Sequence, residues 1–372
     1  MADFSVLRIN IMLKLHNFIL RQLMKFLVTG SAGFIGYFLT LRLLKRGERV
    51  VGIDNLNDYY DVDLKLGRLK ELGIDDAQSE KSKKYPNFTF KKIDISDRDA
   101  MEELFKQERF DGVCHLAAQA GVRYSIENPH AYVQSNVVGF LNILEGCRHH
   151  NISNLCFASS SSVYGLNTSQ PFKTSDSTNH PVSLYAATKK SNEMMAHTYA
   201  HLYGIRTSGV RFFTVYGPWG RPDMAPMLFT DAILNNRPIK VFNEGKMSRD
   251  FTYVEDIVDG LIKIIDNPIT PDTSWDPKHP QSDISSAPYK IYNIGNNKPV
   301  KLMEFIETLE SELGVEAQKE MLPMQAGDVI STFADVSDLI EKFDYKPSTE
   351  LAEGIKAFVT WYKEFYNRDA VS

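Results

Sequence analysis

Met24-Lys25-Phe26-Leu27-Val28-Thr29-Gly30-Ser31-Ala32-Gly33-Phe34-Ile35-Gly36 joins a short apolar strand, Lys25 to Val28, to a glycine-rich turn and an apolar helix. That helix is expected to run from Phe34 to Arg46, with Gly47 ending it. The spacing Gly30-x-x-Gly33-x-x-Gly36 has a physical reading. The first glycine permits a tight turn, the second lets a diphosphate approach the backbone, and the third lets helix and strand pack closely. The helix that opens there points unpaired N–H groups at phosphates. A glycine pattern alone is common, but this one follows a strand and opens a helix, as the mechanism demands.

Outward from this turn, strand and helix alternate. A second strand, Arg49 to Ile53, ends at Asp54, whose carboxylate suits an adenosine ribose and would repel a 2′-phosphate, so NAD is favoured over NADP. Further strands are expected at Phe88 to Ile93, Gly112 to Leu116, Leu155 to Ser159 and Thr207 to Phe212, with helices around 98–108, 131–150 and 185–203. This is the pattern of an α/β fold, a Rossmann-type doubly wound parallel sheet. Residues 57–87 interrupt it with a polar, charged stretch read as a surface excursion near the adenosine end.

The expected organisation is an N-terminal extension over 1–23, an NAD-binding domain over 24–210 and a smaller α/β substrate lobe over 211–372, some of whose segments return to the first domain. The extension mixes apolar residues with Arg8, Lys14 and Arg21 and lacks a signal-peptide core and cleavage site. It reads as residues ahead of a natural start at Met24, with a weak interfacial helix as the alternative.

Composition is that of an ordinary globular protein: 372 residues, 43% hydrophobic, 24% charged, formal net charge −5. That charge gives no electrostatic reason to bind nucleic acid. Cys114, Cys147 and Cys156 lie in apolar runs without a C-x-x-C pair and read as reduced core thiols, consistent with a cytoplasmic location. No metal is expected, and no apolar stretch is long enough to span a bilayer.

Tyr185-Ala186-Ala187-Thr188-Lys189 places a phenol and an ammonium one turn apart on one helix face, where the lysine can lower the tyrosine's pKa. Ser160 stands at a strand end 25 residues earlier. With the glycine turn, this set resembles the extended short-chain dehydrogenase/reductase family, which includes the NAD-dependent epimerases and dehydratases. The resemblance implies Tyr185 as the base that takes a sugar hydroxyl's proton while hydride leaves the same carbon, Lys189 as its electrostatic support and Ser160 as its hydrogen-bond partner. It implies NAD contacts from Gly30, Gly33, Phe34, Ile35, Gly36, Asp54, Asn55, Asp94, Ile95, Leu116, Ala117 and Ala118, besides Tyr185 and Lys189. Asn136 resembles the family's structural asparagine.

The neighbours of Ser160 narrow the reaction. Related 4,6-dehydratases carry an Asp-Glu pair at the positions of Ser161 and Ser162, and related UDP-glucuronate decarboxylases a glutamate at Ser162. This chain has neither, which leaves C4 oxidation and its reversal. The segments Phe212 to Ala225, Ala120 to Ser125 and Ser286 to Asn296 are similar to the UDP-glucuronate 4-epimerases. That resemblance implies a UDP-sugar substrate held by Arg123, Ser161, Ser162, Thr214, Arg221, Arg249 and Asp328, and a homodimer built on the helices at 131–150 and 185–203. Epimerisation of another UDP-hexose (UDP-glucose or UDP-N-acetylglucosamine), net oxidoreduction of a nucleotide sugar, and non-catalytic NAD sensing stay open at this point.

Overall fold

The computed structural model describes residues 23–76, 80–324 and 331–367. Its centre is a parallel sheet of β1 (Lys25–Thr29), β2 (Arg49–Asp54), β3 (Phe88–Lys92), β4 (Gly112–His115), β5 (Asn154–Ser160), β6 (Arg206–Phe212) and the strand Tyr289–Ile294. The spatial order is Tyr289–Ile294, β6, β5, β4, β1, β2, β3, so the winding reverses between β1 and β4. The ends of β1 to β6 fall within a residue or two of the sequence expectation, whereas the edge strand Tyr289–Ile294 was not expected.

Alternate side chains of these strands enter two different cores. Phe26 and Val28 join Val50 against the helix Phe34–Lys45, together with Leu261 of the helix Val254–Asp266. Leu27 joins Val51 and Ile53 against the helices Arg98–Gln107 and Gly139–His149. Being covered on both faces explains why the strands read as continuous apolar runs. Each fully buried Val or Leu in them contributes about 1.5–3 kcal/mol. A third core, with Phe229, Phe251, Phe305 and Phe358, holds the later part of the chain together. The described residues include no helix long and apolar enough to cross a membrane.

Two elements differ from expectation. The single helix expected over 131–150 is a composite of Pro129–Tyr132, a π-helical stretch Val133–Val138 and Gly139–His149. The wider π turn points Asn136 inward, where it is 1% exposed and bonds to neighbouring elements. The stretch 57–87 is not a surface excursion. It contains the helix Val62–Glu71, N-capped by the Asp61 carboxylate, which buries Leu64, Lys65, Arg68 and Leu69. Its charged residues concealed that burial, because two of them go inward. The N-terminal leader, apart from the exposed Leu23, lies outside the described residues.

Candidate active site

A cleft of about 1100 Å³ opens at the carboxyl ends of β1, β2, β4, β5 and β6, where the sheet reverses its winding. Open α/β sheets bind ligands at that point. At one end Gly30 has φ +71°, and a Cβ there would meet the Ala117 nitrogen at 2.9 Å. A Cβ on Gly36 would stand 2.0 Å from the Gly30 carbonyl oxygen, so strand and helix meet there only as glycines. Gly33 caps the following helix without a side-chain hydrogen bond, leaving its first N–H groups facing the cleft.

Gly30, Gly33, Phe34, Ile35, Gly36, Asp54, Asn55, Ile95, Leu116, Ala117 and Ala118 all line this end. Asp54 accepts from the Leu56 N–H at 2.9 Å and sits 3.6 Å from Lys65 Nζ, an ammonium that also bonds Asn57 at 2.9 Å. Asp94 is not in the lining. Its carboxylate takes hydrogen bonds from Asn55 Nδ2 and from Ser96, each at 2.8 Å, and these outweigh burial to hold it below the usual carboxylate range. It fixes Asn55 rather than facing the cleft.

Midway along, Ser160, Tyr185 and Lys189 come together at the cleft wall. Ser183 starts their helix, Leu184–Tyr203, by accepting from Ala186 N–H at 3.1 Å. Asn136 locks this helix to the opposite wall: its Nδ2 reaches the Gln119 carbonyl at 3.0 Å and Thr188 Oγ1 at 3.1 Å, and its carbonyl accepts from Asn192 at 2.6 Å. Ser160 Oγ donates to Ser162 Oγ at 3.1 Å and accepts from the Ser162 N–H at 3.2 Å, turning the chain into the 3-10 segment Ser161–Tyr164.

Burial pushes the Tyr185 phenol up, while a hydrogen bond with Ser160 and the Arg221 guanidinium pull it back down. Arg221 is thus a second cation beside the phenol, one that the sequence reading had placed only with the sugar. Lys189 is itself brought down to about 8 by burial, with Glu193 opposing, and its Nζ has no hydrogen-bond acceptor among the described residues. His115, behind it, is lowered to about 3 by burial and by Lys189, so it stays neutral against Thr29 Oγ1 at 2.9 Å.

Below the wall lies a buried brace. Arg211 meets Glu193 at two points, 2.8 and 2.9 Å, and Ser159 Oγ donates to the same carboxylate at 2.7 Å. These partners overcome burial and hold Glu193 below its ordinary range.

At the far end Arg123, Ser161, Ser162, Thr214, Arg221 and Arg249 line the cleft. Arg221 Nε bonds Asp223 at 3.0 Å and its Nη2 reaches the other carboxylate oxygen at 2.5 Å; Tyr59 donates to Asp223 at 3.1 Å. Arg123 lies over the Phe242 ring, 5.5 Å from its centre, and Arg249 donates to the Ser248 carbonyl at 2.9 Å. Asp328 lies outside the described residues. Among the described residues no cluster of three or more His, Cys, Asp or Glu is set to hold a metal ion.

Tyr59, Asp223 and Lys65 were missed by sequence reasoning. Asp223, two residues after Arg221, carried a local signal; Tyr59 and Lys65 fell in the stretch read as surface. The His197-x-x-x-His201 spacing, which could serve a metal, was passed over too. His197 Nε2 instead meets Ser285 Oγ at 2.9 Å.

The donor set fits a dinucleotide. A model of the NAD dependent epimerase/dehydratase family matches residues 26–295. The chain is 46% identical over 347 residues to a Rhizobium meliloti protein named probable UDP-glucuronate 4-epimerase, covering 93% of this chain and 98% of the relative. It is 54% identical over 345 residues to protein CapI of Staphylococcus aureus, covering 93% and 100%. The solved UDP-glucuronic acid 4-epimerase of Bacillus cereus, in complex with UDP-glucuronic acid and NAD, is 32% identical with a TM-score of 0.77, covering 92% and 100%.

Proposed function

The chain belongs to the NAD dependent epimerase/dehydratase family, and we infer that within it the chain interconverts UDP-glucuronate and UDP-galacturonate by inverting C4 of the sugar. The observation that carries the reading is the polar wall around Tyr185. Ser161, Ser162, Thr214 and Arg221 offer donors for an acidic sugar, and no carboxylate stands at 161 or 162 to eliminate water.

NAD, when bound, supplies a hydride acceptor that works in both directions. The glycine turn and the uncapped helix N-terminus suit its diphosphate, Asp54 its adenosine ribose, and Lys189, with no protein acceptor, a hydroxyl near the reacting end.

Tyr185, as phenolate, takes the C4 hydroxyl proton, and Ser160 steadies the same oxygen. Arg221 favours that phenolate through its charge. The 4-keto sugar then turns its opposite face, and Tyr185 returns the proton as the hydride comes back. A 4-keto glucuronate is a β-keto acid and loses carbon dioxide when its carboxylate bond aligns with the carbonyl π system. Thr214, Ser161 and Ser162 are assigned to hold the carboxylate near the ketone plane, where that alignment is forbidden.

Val133 and Leu141, with Met194 and Leu202 on the neighbouring helix, are more than two-fifths exposed, which supports pairing with a second copy through these helices. Buried free thiols at Cys114, Cys147 and Cys156 support a reducing, cytoplasmic setting. Incubation with UDP-glucuronate, followed by resolution of the two UDP-uronates, tests the activity; light scattering tests the dimer.

A further inference from the structure

Arg68, on the helix Val62–Glu71, is a buried cation that the chemistry above leaves unused. It is 0% exposed. Its Nη1 donates to the Ala32 carbonyl at 2.8 Å and meets the Tyr60 hydroxyl at 3.3 Å. Its Nη2 donates to the Trp219 carbonyl at 2.7 Å and reaches that of Gly220 at 3.4 Å. Nε is buried without a partner, and the guanidinium forms no ion pair with a carboxylate among the described residues. Taking a charge out of water without a counter-charge is costly, and carbonyl dipoles offset only part of that cost.

The acceptors come from two segments far apart in sequence, which the one guanidinium draws together behind the cleft wall. Ala32 belongs to the glycine turn; Trp219 and Gly220 immediately precede Arg221. Trp219 has φ +60°, a left-handed conformation unfavourable for a bulky residue. It is held there by Arg68 and by the rings of Tyr37, Trp361 and Phe365, at 6.0, 5.2 and 4.9 Å. A Cβ on Gly67 would meet the Trp219 ring at 2.8 Å, so helix and turn already touch.

We propose that Arg68 is a positioning residue that joins cofactor retention to substrate fit: the diphosphate bound at the Gly30–Gly36 turn balances its charge, and its fork fixes the Trp219–Gly220 turn that aims Arg221. This rests on the reading that NAD occupies the glycine turn and that Arg221 meets an acidic sugar. Charge and fork are separable, because lysine keeps the first and lacks the second.

The test compares the full chain with Arg68→Lys and Arg68→Met. NAD is extracted from gel-filtered protein and counted per chain, without turnover. KM for UDP-glucuronate is measured with saturating added NAD. Arg68→Lys is expected to keep NAD within about twofold of the parent while KM rises at least about fivefold; Arg68→Met is expected to lose more than half its NAD. A folded Arg68→Met with parental NAD content, an Arg68→Lys that loses as much NAD as Arg68→Met, or an Arg68→Lys with unchanged KM would each overturn the proposal. If Arg68→Met does not fold, the lysine variant still decides. A parent that carries NAD but makes no UDP-galacturonate would refute the epimerase reading alone, and the NAD count would still judge the charge role.

Discussion

Arg221 and Asp223 face each other across two hydrogen bonds beside Tyr185, and the two charges act on the phenol in opposite directions. Arg221 pulls the phenol down and Asp223 pushes it up. Asp223→Asn removes the upward push, so the phenolate forms at lower pH. The acid limb of the kcat profile is expected to move to lower pH. An unmoved limb would show that Asp223 serves only to pack the loop.

Tyr185→Phe removes the proton-transfer group while keeping the ring that packs edge-on against Tyr132 at 6.0 Å. Turnover is expected to fall about 10²- to 10⁴-fold or more with the melting temperature nearly unchanged. Comparable turnover in a stopped assay would remove Tyr185 from the chemistry.

Thr214→Ala takes a hydroxyl from the wall assigned to the sugar carboxylate. The fraction of UDP-pentose among the products is expected to rise, as read by chromatography of a completed reaction. An unchanged partition would count against restraint of the carboxylate by this residue.

Lys189 predicts a stability effect with a defined sign. Burial lowers its pKa from 10.5 to about 8, so at pH 7 folding hides a charge at a cost of about 3 kcal/mol. Between pH 8 and 10.5 the unfolded chain binds more protons than the folded one, and the cost shrinks as pH rises. Lys189→Met should therefore be the more stable protein at pH 7 in dinucleotide-free preparations, with the gap closing by pH 10. Urea melts across that range check this; a gap that widens with pH would contradict it.

Glu193 works the other way. Its carboxylate is held below the ordinary range, so its contribution is full above the unfolded pKa and is lost as pH falls through the folded one. Glu193→Ala strands Arg211 and Ser159 in the core and is expected to cost about 3–5 kcal/mol by urea melting. A loss under 1 kcal/mol would mean that the core relaxes around the cation.

The parts legible in sequence were those whose signal is local. The turn Gly30 to Gly36 needs glycine for reasons confined to seven residues, and Tyr185 and Lys189 share a helix face at fixed spacing. Long-range partners left no such trace. Asn136 was marked only by the family resemblance and by no local pattern, since its bonds to Gln119 and Thr188 span 17 and 52 positions. Arg68 looks solvated because arginine usually is, and only the fold brings Ala32 and Trp219 to it. The phenol's second cation stayed hidden for the same reason: Lys189 is near in sequence, whereas Arg221 arrives from another segment.

The most direct measurement incubates the purified chain with UDP-glucuronate and no added NAD, then resolves the UDP-sugars. We expect UDP-galacturonate to accumulate to a fixed ratio without net NADH in solution, because the hydride returns to the same carbon. An inert substrate at every NAD concentration, or product formed only with stoichiometric release of NADH, would contradict a reversible C4 oxidation within one cleft.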